Sequence, residues 1–249
     1  MTTSDNRPFA AGVETWRLET RTVARLAIPV AIAQVGSMLL GTVDTMMVGR
    51  VGADALAAAA IGNAWFYAIL LMGQGVVHGI DPFVTQAHGA RDGEATAVAL
   101  QRGIVISLLI SVPLVAILSF TEDILLLVQQ DPELARSAHD YISVQIPSVP
   151  CFLIFIALRQ YLQGRELMRP GMWVMAFANV LNALFNWVLI FGGLGIPAMG
   201  LYGAGIATSL TRLAMLLILL AWVIGFRLHE GGWVPWSRRA IAPDALLKV

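Results

Sequence analysis

The chain has 249 residues, 57% of them hydrophobic and only 13% charged, and its formal net charge is zero. Soluble domains carry roughly 25% charged residues, so an ordinary soluble protein is excluded, and the absence of net basic charge argues against a nucleic-acid partner. With a mean hydropathy of +0.73, the composition predicts an all-α polytopic membrane protein whose first partner is the lipid bilayer.

Residues 1–25 are polar, carry Arg7, Arg17, Arg21 and Arg25, and contain no short apolar stretch with a cleavage site. They do not read as a signal peptide. Within them residues 14–25 read either as an amphipathic helix on the membrane face or as a solvated lead-in. Six apolar spans follow, near 26–48, 57–80, 98–119, 143–163, 172–192 and 201–225. Each is close to the ~20 residues that a bilayer core requires. Residues 53–60 lead into the second span. Residues 120–141, with Glu122, Asp123, Asp131, Glu133 and Asp140, read as a polar loop. Trp233 and Trp236 suit an interfacial anchor after the last span. The expected organisation is a cytoplasmic segment at 1–25, a six-helix bundle at 26–226 and the start of a cytoplasmic linker at 227–249. No sequence repeat relates spans one to three to spans four to six.

Positive charge sets the orientation. Thirteen of the sixteen Lys and Arg residues fall on one side of the alternating spans, only Arg50 and Arg136 fall on the other, and Arg212 lies inside the sixth. Both termini are therefore expected in the cytoplasm. Arg outnumbers Lys 15 to 1, which suggests a GC-rich bacterial gene and hence a bacterial inner membrane. Cys151 is the one cysteine, so no internal disulfide can form.

Asp44 interrupts the first span, which is otherwise without charge between Arg25 and Arg50. A carboxylate at membrane depth costs about 2.5–3.5 kcal/mol on insertion scales and usually has a partner or a task. At about 1.5 Å per residue, Asp44 lies about 9 Å from the Arg50 end. Asn186 in the fifth span falls at the same depth, Asn182 one turn deeper, and Thr208 of the sixth span about 12 Å in. Asn182 and Asn186 are about 40° apart around their helix, and Asn179 is about 60° from Asn182, so the three amides share one face. That face points into the bundle, either for interhelical hydrogen bonding alone or for a ligand. Asp44 could instead snorkel outward or pair with Arg50. Pro29 removes a backbone hydrogen bond early in the first span and marks either a hinge or a static kink. Arg212, near mid-membrane, is expected against a water-filled cavity, carbonyls or the deeper amides. Ser37 with Gly41, and Gly200-x-x-Gly203-x-Gly205, read as small-residue helix packing.

Enzyme signatures are missing: there is no HExxH, no GxSxG, no GxxxxGK[ST] and no clustered Cys/His set. His78, His88, His139 and His229 are scattered and read as structural. The chain is expected to be no enzyme and to need no cofactor.

Several segments resemble the multidrug and toxic compound extrusion (MATE) family, most closely its NorM-like bacterial members. They are GTVDTMMVGRVGADALAA, GIDPFVTQAHGARDGEATAVALQRG, RQYLQGRELMRP, NVLNALFNWVLIFG and GLYGAGIATSLTR, in that order. The resemblance implies one six-span lobe, the amino-terminal one, of a twelve-span antiporter that expels organic, often cationic, compounds in exchange for protons or sodium. It implies that Asp44 binds the coupling ion with Asn182, Asn186 and Thr208, and that the first helix bends at Pro29; Asn179 and Arg212 are expected as cavity polar groups from their place in the spans alone. Some relatives carry a second carboxylate where this chain has Asn186, so the site here holds at most one formal negative charge. One lobe cannot close a two-sided cavity. The expectation is a fragment whose carboxy-terminal lobe is missing, with a second copy in its place or an inactive remnant as alternatives. A lipid-linked oligosaccharide or lipid flippase of the same superfamily is a rival, but its cavity would call for more cations than Arg212.

Overall fold

The computed structural model describes residues 7–228 together with 232, 234 and 235; the side chains of 7–19 and 22 fall outside the description. Trp233, Trp236 and His229 lie outside the described residues, as does any amphipathic face along residues 14–19. Nine α-helices account for nearly all of the described chain: α1 (Arg7–Val48), α2 (Ala53–His78), α3 (Asp81–Gly89), α4 (Gly93–Ser119), α5 (Thr121–Leu127), α6 (Pro132–Ser143), α7 (Val149–Gly164), α8 (Arg169–Phe191) and α9 (Gly200–Gly225). Pairing between strands is limited, among the described residues, to a single bridge, Gly193 with Ile196.

Among the described residues, six spans are long and apolar enough to cross a membrane: Val23–Val48, Ala53–Gly89, Gly93–Ser119, Pro132–Gly164, Arg169–Phe191 and Gly200–Gly225. The chain is a multi-pass, all-α membrane protein, as its composition predicts. The lead-in before the first span is helical and continuous with it, and α1 runs unbroken through Pro29.

The structure corrects one expectation. Residues 120–141 are two helices rather than a loop, and α6 extends the fourth span by more than two turns. Asp131 starts α6 as an N-cap: its Oδ1 accepts from the Glu133 and Leu134 amides at 2.9 and 3.1 Å, with Pro132 at the first helical position. Ala135, Ala138, Tyr141 and Ile142 then repeat at helical spacing and are buried, so the charged residues of this segment form only its outer face. Asp92 caps α4 in the same way, accepting from the Ala95 amide at 2.9 Å.

Helices α1, α8 and α9 pack side by side, and α7 fills the centre with Leu153, Phe155, Ala157 and Tyr161. In lipid every polar group needs an internal partner. Hydroxyls therefore turn back onto their own helices: Thr42 to Met38 O at 3.0 Å, Thr45 to Gly41 O at 2.9 Å, Thr211 to Ala207 O at 2.7 Å. Beyond α9 the chain folds back against the bundle. The Tyr161 hydroxyl donates to Gly232 O at 2.7 Å, and Gln101 Nε2 donates to Val234 O at 2.8 Å.

Candidate functional site

Asp44 is buried, with only 6% of its surface exposed. It neither snorkels nor pairs with Arg50. Asn186 Nδ2 donates to its Oδ1 at 2.8 Å, and the Tyr141 hydroxyl lies 3.1 Å from its Oδ2. Asn186 Nδ2 also reaches Asn182 Oδ1 at 3.2 Å. The shared depth and the common face of the two amides thus bring α1 and α8 together at one carboxylate. Thr208 is buried on α9, donates to Ala204 O at 3.0 Å, and lines the same cavity as Asp44.

Two residues of this cluster escape the sequence reading. Tyr141 is fully enclosed on α6, and Asn63 on α2 has its Oδ1 3.1 Å from the Tyr141 hydroxyl. A signal for Tyr141 exists in the buried Ala135–Ala138–Tyr141 spacing. It is hidden because the surrounding acids make the segment look like a loop. Asn63 has no comparable signal: one amide in an apolar span satisfies a helix-packing reading equally well.

The cavity in front of Asp44 has a volume of about 490 Å³ and is lined by Asn63, Tyr67, Tyr141 and Thr208 among others. Two polar atoms beside it, Asn186 Oδ1 and Asn182 Nδ2, are buried without hydrogen-bond partners. Buried polar atoms are rarely left so. Asp44, Tyr141 and Thr208 bring a carboxylate and two hydroxyls to the cavity, and Asn186 Oδ1 is an unpartnered amide oxygen on the residue bonded to Asp44, oxygen donors of the kind that suit a proton or a hard cation. Among the described residues no group of three or more His, Cys, Asp and Glu side chains could hold a metal ion.

The other predicted polar residues go elsewhere. Asn179 lines neither this cavity nor the one at Arg212. Its Nδ2 donates to Gly36 O on α1 at 2.8 Å and to Met175 O at 2.9 Å, tying α8 to α1. Arg212 lines a second cavity, displaced toward the Pro29 end of α1. Its Nη1 donates to Ser148 Oγ at 3.2 Å, and its guanidinium lies 4.5 Å from the Phe66 ring centroid and 5.5 Å from that of Phe152. The deeper amides do not hold it. An Asn179→Ala change is expected to loosen α1 from α8 and lower stability by about 1 kcal/mol, without touching Asp44. Unfolding of the purified protein in mild detergent measures it, and an unchanged midpoint would contradict the tether.

The chain matches the MatE family model over residues 29–188. It is 34% identical over 209 residues to the multidrug resistance protein NorM of Vibrio parahaemolyticus, covering 84% of this chain and 46% of that protein. It is 36% identical over 197 residues to the probable multidrug resistance protein NorM of Bradyrhizobium diazoefficiens, covering 79% and 42%. Among solved structures, the eukaryotic MATE transporter AtDTX14 superposes with a TM-score of 0.83 at 22% identity, covering 90% of this chain and 49% of that one. A multidrug resistance MATE family transporter in an outward-facing conformation superposes at 0.78, with 22% identity and 90% and 50% coverage. The chain thus spans about half the length of the curated relatives it matches.

Proposed function

The chain belongs to the MatE family, and from that premise we propose that it forms the ion-coupling bundle of an antiporter that exports organic, often cationic, compounds in exchange for protons or sodium. The observation that carries this reading is the buried Asp44, held by α8 and α6 beside two unpartnered amide atoms. Both oxygens of Asp44 have a partner, and the unmet polar atoms belong to the two amides next to it. A carboxylate that must change its charge needs neighbours that can serve both forms.

The network around Tyr141 does so. A hydroxyl has one proton and two lone pairs. With Asp44 ionised, the Tyr141 hydroxyl donates to Asp44 Oδ2. With Asp44 protonated, its O–H donates to the Tyr141 oxygen, and the Tyr141 proton turns to Asn63 Oδ1. Both partners lie at 3.1 Å, so neither form requires a helix to move before the proton arrives. Sodium would use the same place differently: the Asn186 amide turns its oxygen rather than its nitrogen toward the carboxylate, joined by Asn182 Oδ1 and Thr208 Oγ1. Ionised Asp44 favours a cationic substrate. Neutralising it by either ion weakens that attraction and relaxes α1 on the Asp44 side of Pro29, so substrate and ion exclude one another.

In this reading residues 26–226 are the amino-terminal lobe, 1–25 and 227–249 lie on the cytoplasmic side of a bacterial inner membrane, and a second six-span lobe completes the cavity. Vesicle transport by the complete protein, with proton and sodium gradients imposed separately, tests it: one gradient drives export and the other does not. Export that ignores both gradients would refute coupling. Tyr141→Phe is expected to slow proton-driven export about tenfold, the worth of one hydrogen bond to a charged group. A wild-type rate in that variant would remove Tyr141 from the relay.

A further inference from the structure

The cavity at Arg212 has the opposite polarity to the one at Asp44. It measures about 170 Å³ and is lined by Arg159 and Arg212 together with His78 and no acidic residue. Sequence reading groups Arg159 with the cytoplasmic-side arginines, but the structure turns it into the bundle beside Arg212. Neither guanidinium forms an ion pair among the described residues. Arg159 Nε is buried without a hydrogen-bond partner. Arg212 is only 5% exposed. Of its five N–H donors, one is given to Ser148 Oγ, the Tyr67 hydroxyl is a second partner, and Asp44 acts on it from beyond ion-pairing distance. Two cations brought into an apolar bundle without a carboxylate in ion-pair contact are costly, and both of these side chains line the cavity.

We propose that this cavity binds an organic anion: a single carboxylate on a benzene-sized apolar body. Arg159 and Arg212 take the carboxylate, because guanidinium N–H groups match carboxylate oxygens in pairs. Phe152, Phe155, Ile156 and Met215 take the ring. The size agrees, since an apolar cavity of about 150 Å³ accommodates benzene. The apolar side formed by Phe152, Phe155, Ile156 and Met215 offers no partners to the several charges of pyrophosphate, while Gln34, Gln74 and Gln160 line the rest. The two cavities share Leu40, Tyr67 and Thr208, but Asp44 lines only the other one. The proposal does not depend on ion coupling at Asp44.

Equilibrium calorimetry on the purified full chain in lipid nanodiscs tests it without any ion gradient, so a failure leaves the coupling reading untouched. Benzoate should bind, and benzylamine, which has the same ring, a similar size and the opposite charge, should not. Arg159→Gln should weaken benzoate binding about tenfold, and Arg159→Lys should recover part of the loss. Arg159 is less enclosed than Arg212, so its variants are the ones expected to fold; Arg212→Lys, which keeps the charge but loses the paired geometry, is the second variant and should weaken benzoate as well. Absence of benzoate binding, equal binding of benzylamine, or unchanged affinity in Arg159→Gln would overturn the proposal. So would chloride or pyrophosphate binding more tightly than benzoate, which would mark an inorganic-anion site instead.

Discussion

Asp44→Asn in the complete transporter abolishes ion-driven export, to the level of protein-free vesicles, while the bundle stays folded. The two expectations come from the same burial. Asparagine has the shape of aspartate, so Asn186 Nδ2 can still donate to Oδ1 across the 2.8 Å contact. What disappears is the charge, and with it the ability to bind a proton or a cation. A buried carboxylate without a cationic partner within ion-pairing distance is a cost to folding, because desolvation exceeds what two hydrogen bonds from uncharged donors return. Removing the charge should leave stability unchanged or raise it. Loss of function with no loss of stability separates a coupling residue from a structural one. Thermal unfolding and gradient-driven dye export, measured on the same preparation, decide the matter. Ion-driven export near the wild-type rate would end the role of Asp44, and a collapsed bundle would show the carboxylate to be structural instead.

The reach of the sequence here follows from what a bilayer demands. Six spans are legible because each needs a long apolar run, and no surface compensates for a break in it. Asp44, Asn182 and Asn186 are legible because polar side chains in such runs stand out and their depths can be counted. Depth only permits their contact; helix rotation around α1 and α8 has to be right as well, and it is. Tyr141 is not legible for the opposite reason. It sits on a helix whose exposed face carries Glu133, Arg136 and Asp140, so composition masks the periodicity. Arg159 shows another limit: counting it among positive charges at a membrane edge does not say where its side chain points, and a long side chain can turn inward as easily as it can snorkel. Three-dimensional direction, rather than position along the chain, separates the two.

Gly205→Ala is the second change with a large expected effect, and it connects packing to the site. A Cβ at Gly205 would lie 2.4 Å from Val144 Cγ2 and 2.6 Å from the backbone oxygen of Tyr141. The side chain of Val144 could adjust, but a backbone oxygen cannot be relieved by a rotamer change, so α9 must move away from the end of α6. That displacement pulls Tyr141 off Asp44, whose 3.1 Å contact has no slack to give. Gly203→Ala meets the backbone of Leu189 at 2.4 Å and forces α9 from α8 instead, on the far side from Tyr141. Both should cost at least the ~1–3 kcal/mol typical of overpacking. Only Gly205→Ala should also reproduce the slowed proton-driven export of Tyr141→Phe beyond what its lost stability explains. Gly75 on α2 has nothing within 4 Å of the added atom, so Gly75→Ala should stabilise the helix by roughly 0.5–1 kcal/mol and serves as the control. Unfolding midpoints for the three variants, read beside export rates for the folded fraction, give the comparison. If Gly205→Ala and Gly203→Ala affect export equally per unit of stability lost, Tyr141 is not positioned by Gly205.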